Sequence, residues 1–210
     1  MEVQVAAAII SASVAGTIGI MTWLHNRATL REQRIADKRK SIAKQLNEFY
    51  GPLISYLKIT YSLYQIFSKD KPKGFRTLTY LLAPEQKYQT SQGLTEVILT
   101  ESDRLILGEI IELEAKIESL VVEKGGLVDD TQLMFEYIPD FESNVLRKNR
   151  NRLSLLALLI THFRVLKLAY EGKIRGEVQR YQDFVFPREI EGVLRRKFES
   201  LHKELDELSR

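Results

Sequence analysis

The sequence contains no cysteine, and this absence removes several protein classes at once. Disulfide-stapled folds, thiolate zinc sites, iron–sulfur clusters and cysteine nucleophiles all require thiols. Histidine is also scarce, with only His25, His162 and His202, so a metal site would have to rely on carboxylates. The sequence has no glycine-rich phosphate loop and no other catalytic motif. It therefore predicts a protein without enzymatic activity, cofactor or metal site.

The small net charge of +3 conceals a local basic cluster. Residues 26–50 carry seven bases against three acids, while the chain after them is balanced in charge. The seven bases are Arg27, Arg31, Arg34, Lys38, Arg39, Lys40 and Lys44. A nucleic-acid-binding domain usually spreads its bases over one face, whereas this cluster directly follows an uncharged segment. The pattern is typical of a membrane protein, and we expect no nucleic acid as a partner.

Residues 5–24 form an uncharged stretch of 20 residues, of which 14 are Ala, Val, Ile, Leu, Met or Trp. As a helix this stretch would be about 30 Å long, which is the thickness of the hydrocarbon core of a bilayer. We therefore predict a transmembrane anchor over residues 1–25 and a basic juxtamembrane helical stalk over residues 26–50. A buried helix of a soluble protein is the alternative. No base precedes the apolar stretch, so we do not expect a cleaved signal peptide.

The basic cluster also predicts the orientation of this anchor. Bases that follow an apolar segment usually stay on the cytoplasmic side, so we expect the N-terminus outside and the C-terminal domain in the cytoplasm. The same side chains would contact the anionic headgroups of the lipid bilayer. The residues expected at the membrane surface are Arg27, Arg31, Arg34, Lys38, Arg39 and Lys40.

Small residues recur at every fourth position of the apolar stretch. One row holds Ala7, Ser11, Ala15 and Gly19, and the neighbouring row holds Ala8, Ala12 and Gly16. Rows of this kind let two helix backbones approach closely. We therefore predict self-association through this segment, although a stretch so rich in small residues can also produce such rows by chance.

The chain from residue 51 to residue 210 is predicted to form one cytoplasmic helical domain. The predicted fold is thus mainly α, with a single N-terminal transmembrane helix followed by a helical bundle. Gly51 and Pro52 are expected to interrupt the stalk, and Thr100 and Gly125 to begin and end the clearest helix. Helices are predicted over about 52–67, 100–124, 141–171 and 187–208. Residues 75–99 do not reveal whether they form strands.

His162 is the most unusual polar residue, because it shares a helical row with leucines. Together with Arg164 and the nearby bases Arg147, Arg150 and Arg152, it could line a pocket for an anionic ligand. The alternative is a satisfied core histidine beside a solvated basic helix face. Glu109 and Glu112 are interpreted as solvated surface charges, because no histidine follows a glutamate at the spacing of a di-iron site.

The string Glu48-Phe49-Tyr50-Gly51-Pro52-Leu53 follows the apolar segment and the basic stalk. In this position it resembles a motif of a group of uncharacterised bacterial single-pass membrane proteins. The resemblance covers about the first 70 residues, with weaker echoes at residues 168–172 and 186–189. It implies a location in the bacterial inner membrane and no catalytic residues.

These observations lead to two functional hypotheses. The first is a membrane-anchored, non-enzymatic helical module that acts by self-association or by binding a protein partner at the cytoplasmic membrane face. The alternative is a membrane-bound sensor or effector that binds an anionic, nucleotide-like ligand. The remaining alternatives are an enzyme with a carboxylate or His162-centred site and a structural stalk for a larger complex.

Overall fold

The computed structural model describes residues 2–90, 93–134, 154–181 and 184–209. This part of the chain is mainly helical, as predicted. In chain order the elements are α1 (Glu2–Gln45), a π-helical turn (Leu46–Tyr50), α2 (Gly51–Ser68), α3 (Thr77–Leu82), β1 (Lys87–Thr90), β2 (Gly93–Glu96), α4 (Glu101–Lys124), a 3₁₀ turn (Gly125–Leu127), α5 (Thr131–Met134), α6 (Leu155–Tyr170), α7 (Val178–Tyr181) and α8 (Glu189–Glu207).

The chain divides into two compact units. The first holds residues 1–43 and 203–210, and within it Lys38 forms an ion pair with Glu204. The second holds residues 44–202 and contains most of the buried side chains.

The structure corrects the prediction of a membrane anchor. Within the described part of the chain, no helix combines the length and the apolar character that a membrane crossing requires. The predicted transmembrane helix over residues 1–25 is therefore wrong, and so are the predicted single-pass inner-membrane location and its orientation. The apolar stretch is diluted, since 11 of its 20 residues are Ala, Ser, Thr or Gly. It also does not end as a separate segment, because α1 continues from it through the basic cluster.

The predicted interruption at Gly51 and Pro52 is also absent. Tyr50 and Gly51 both have right-handed helical dihedrals, and the helix continues from α1 through the π-helical turn into α2. The Gly51 N–H donates to the carbonyl of Leu46, five residues back. A wider turn of this kind accommodates Pro52, which has no N–H to donate and whose ring would collide with a carbonyl in a regular helix.

Helices α2 and α4 pack against each other and form the centre of the second unit. Lys124 donates to Glu48 over 3.0 Å at one end of the pair, and Lys71 lies 2.8 Å from Asp103 at the other. The two contacts show that the helices are antiparallel. The predicted N-cap is confirmed, because Thr100 and Asp103 form a reciprocal capping box at the start of α4.

The segment that the sequence left open contains a short helix and an antiparallel hairpin. Strands β1 and β2 pair from Lys87 with Glu96 to Thr90 with Gly93. An aromatic cluster lies beside them, with the Phe75 ring 5.6 Å from Tyr88 and 6.0 Å from Phe67. Helix α6 packs on α3 and α4 within the second unit.

Candidate functional site

Helix α1 carries an exposed apolar surface. Ile20 is 62% exposed, Trp23 58% and Leu24 52%. With the exposed Gly16, these residues share one face of the helix, because they are spaced at i, i+4, i+7 and i+8. We call these four residues the α1 apolar face. Apolar side chains so close together on a surface usually mark a site where another molecule binds.

Two glycines in this part of α1 have no steric reason to be glycine within the chain. A Cβ added to Gly16 or to Gly19 would meet no atom within 4 Å. Glycine inside a helix costs about 1 kcal/mol relative to alanine, so two such residues weaken α1 appreciably. Because glycine has no side chain, each of these positions would let another backbone approach closely.

The residues predicted to mediate helix association all lie on α1. Gly16 and Gly19 are exposed there. The side chains of Ala7, Ala8, Ser11, Ala12 and Ala15 lie outside the described part of the structure, although the backbone at these positions is helical. The association prediction therefore remains a prediction, now placed on a helix with an exposed apolar face.

The residues predicted at the membrane surface follow on the same helix, and all of them are exposed: Arg27, Arg31, Arg34, Lys38, Arg39 and Lys40. The Arg27 guanidinium lies 5.4 Å from the centre of the Trp23 ring, one helical turn earlier. The membrane role predicted for these bases depended on the anchor, and nothing in the described structure tests it.

The predicted anion-binding residues do not form one site. His162 is half-buried, with Nδ1 2.7 Å from the carbonyl oxygen of Phe184, so that this nitrogen carries the proton. Arg164 lies two residues later and donates to Glu118 of α4. Arg147, Arg150 and Arg152 lie outside the described residues. Within the described structure, the histidine and the arginine thus bind different parts of the chain.

Glu114 is a functional candidate that the sequence analysis missed. It is 5% exposed and lies on the buried stripe of α4 between Ile110 and Ile117. Burial raises the pKa of its carboxyl well above the usual range, because desolvation disfavours the charged form. The spacing of four residues from Ile110 and three from Ile117 was the signal that could have revealed it.

Thr60 of α2 lies at the same level as Glu114. Each residue is at the midpoint between the two ion pairs that bracket the α2–α4 pair, namely Glu48 with Lys124 and Lys71 with Asp103. Thr60 is also buried, and neither its Oγ1 nor the Glu114 Oε2 has a hydrogen-bond partner in the described part of the chain. Because an unpartnered buried carboxyl cannot ionise without a large desolvation cost, the packing around Glu114 is sensitive to its ionisation.

Two open hollows flank the outer side of α4. One of about 540 Å³ is lined by Pro52 and Tyr56 of α2 and by residues of α4. The other, of about 380 Å³, includes Arg164, Lys167 and Lys173. Two of these three cations are already paired, Arg164 with Glu118 and Lys173 with Glu171. The second hollow therefore offers little uncompensated positive charge.

Comparison with known proteins gives no indication of function. The two compact units and the α1 apolar face are therefore the main structural guides to it. The bacterial resemblance inferred from residues 48–53 stays a prediction. No protein-family model, no curated protein and no solved structure matches the chain.

Proposed function

We propose that this protein is a non-enzymatic helical module that acts by association through the α1 apolar face. The observation that carries the proposal is the exposure of Ile20, Trp23 and Leu24 on one side of a 44-residue helix. Helices in water gain most of their stability by burying such a face. A partner that covers it would supply the burial that these residues lack.

The magnitudes favour a real but reversible contact. Full burial of one large apolar side chain is worth about 1.5–3 kcal/mol. Two copies of the three side chains would together contribute on the order of 10 kcal/mol, whereas association costs about 4–15 kcal/mol in lost freedom. Association should therefore depend closely on these residues.

Sedimentation velocity of the full chain tests the proposal. We expect the native protein to sediment as a species larger than a monomer. The triple variant Ile20→Ser, Trp23→Ser, Leu24→Ser should be monomeric at the same concentration. The matched control is Ile59→Ser with Ile66→Ser, two exposed residues of α2 that should leave the native sedimentation unchanged. A native monomer, or equal effects of both variants, would contradict a function in self-association through α1.

The second candidate is binding of an anionic ligand, and one observation favours it. Lys167 lines the hollow of about 380 Å³, where Arg164 and Lys173 are balanced by Glu118 and Glu171, so its charge is the surplus that an anion could meet. Isothermal titration of the full chain with a panel of nucleotides tests this function, with Lys167→Gln as the variant that should weaken binding. No heat across the panel would exclude it.

A further inference from the structure

The α1 apolar face includes part of a row of residues spaced by four that changes in size along the helix. By sequence this row holds Ala8, Ala12, Gly16, Ile20 and Leu24. Its first half is small and its second half is large, and Gly16 lies between them. Helices commonly pack by fitting such rows into the grooves of a neighbour.

A second copy of α1 fits this row only in the antiparallel direction. If two copies cross at Gly16, Leu24 of one lies opposite Ala8 of the other, and Ile20 lies opposite Ala12. Each large residue then meets a small one. A parallel pair would place large beside large and small beside small, which leaves the contact crowded at one end and open at the other.

The charges of α1 favour the same direction. In a parallel pair, exposed bases such as Arg27, Arg31 and Arg34 would lie beside their own copies along the basic half of the helix. In the antiparallel pair, the two basic halves point away from each other. The acidic start of one helix, Glu2, also comes level with Arg27 and Arg31 of the other copy, which supplies complementary charge.

We infer that the partner of the α1 apolar face is a second copy of this chain, bound antiparallel with the crossing point at Gly16. This inference rests on the proposed function and adds the identity and the direction of the partner. It also explains the open space around Gly16, since the crossing point is where the two backbones come closest.

Engineered cysteines test the direction directly, because the chain has no native thiol. Leu24 of one copy would lie beside Ala8 of the other, whereas the two Leu24 residues would be about 24 Å apart along the axis. A disulfide needs Cα atoms within about 7 Å. An oxidised mixture of full-length Leu24→Cys and Ala8→Cys should therefore give the mixed dimer, and Leu24→Cys alone should give little. His25→Cys, nine residues from Gly16 and on the opposite side of α1, is the control for random collision.

Sedimentation of the reduced variants, together with the disulfides that form on oxidation, separates the two proposals. A dimer in which Leu24→Cys links to itself would overturn the antiparallel arrangement and leave association intact. A monomer would overturn both. Gly16→Leu should weaken the dimer at least about tenfold by separating the backbones, while His25→Leu should leave the affinity unchanged. Equal affinities for the two leucine variants would place the crossing point elsewhere and contradict the inference.

Discussion

Glu114 couples the packing of α2 and α4 to pH through a single proton. Its carboxyl is buried among apolar side chains, and desolvation is the cause of its raised pKa. The unfolded chain releases this proton near the ordinary value of 4.5, whereas the folded chain keeps it to higher pH. Since the folded state binds more protons in this window, the free energy of unfolding falls as the pH rises.

The variant Glu114→Gln should remove this pH dependence while keeping the size and polarity of the side chain. One proton changes stability by at most about 1.4 kcal/mol per pH unit. Between pH 5 and pH 7 we therefore expect the variant to gain stability relative to the native chain, by no more than about 1.4 kcal/mol for each pH unit. Urea unfolding of both proteins at the two pH values measures the gain. If the free energies of unfolding of the two proteins differ by the same amount at both pH values, the carboxyl is ionised, or paired with a cation, in the folded state.

Among the glutamates of α4, only Glu109 and Glu112 were interpreted from the sequence, and Glu114 differs from both of them in the structure. Glu109 and Glu112 are exposed, as interpreted from the sequence, but Glu114 is not. Side-chain type cannot distinguish them, because only the packing of α2 and α6 around α4 decides which of its sides is buried. His162 is a similar case, since the sequence left open a core histidine or a pocket residue, and only the structure shows that it is half-buried with a carbonyl partner in a distant segment.

Among the elements, the π-helical turn depends on one small residue. A Cβ at Gly51 would lie 2.8 Å from the carbonyl oxygen of Leu46, the same oxygen to which the Gly51 N–H donates. Real Cβ atoms do not approach a backbone oxygen so closely, and neither group can move without opening the turn. Gly51 therefore allows the helix to pass through the Gly-Pro sequence.

We expect Gly51→Ala to destabilise the protein by about 1–3 kcal/mol, the usual cost of overpacking. In an ordinary helix the same change would stabilise the protein by about 1 kcal/mol. The sign of the change in stability therefore distinguishes a steric role of Gly51 from that of an ordinary helical glycine. Gly126→Ala is the matched control, because a Cβ there meets nothing within 4 Å and should change stability little. Chemical unfolding followed by circular dichroism measures both variants, and a stabilised Gly51→Ala protein would refute the steric role.

The elements were predictable where local residues determine them. Thr100 and Asp103 form the capping box that their spacing indicated, because both partners lie within one turn. The Gly51-Pro52 sequence misled for the opposite reason. A Gly-Pro sequence ends a regular helix. The helix continues here because the π-helical turn contains an extra residue, and no local sequence pattern predicts that residue.

For the whole molecule, association predicts that stability depends on concentration. A partner that binds only the folded state stabilises it by mass action. Over a range of about a hundredfold in concentration, a dimer should gain about 2.7 kcal/mol, and its melting temperature should rise. The triple variant Ile20→Ser, Trp23→Ser, Leu24→Ser, which is expected to be monomeric, should melt at the same temperature throughout this range. A native melting temperature that is independent of concentration would argue against a dimer in which α1 folds by association.

The sequence allowed the helical class of the whole molecule to be predicted, but not the setting of its first helix. The length and the lack of charge of residues 5–24 suggested a membrane anchor. This stretch, however, is rich in Ala, Ser, Thr and Gly, and α1 continues from it into the basic cluster without a break. Such a helix does not meet the requirements for crossing a membrane. Hydropathy patterns describe a segment in isolation, whereas exposure and the positions of Gly16 and Gly19 became interpretable only on the folded chain.

Trp23 is the only tryptophan in the chain, and it belongs to the α1 apolar face. Its intrinsic fluorescence therefore originates from this surface alone, while the nine tyrosines are distributed over the remaining chain. An indole that loses contact with water emits at shorter wavelength, so the emission maximum reports whether this surface is covered. The protein thus carries a natural optical label at the surface where assembly is proposed, and titration in dilute solution can follow it without any chemical modification.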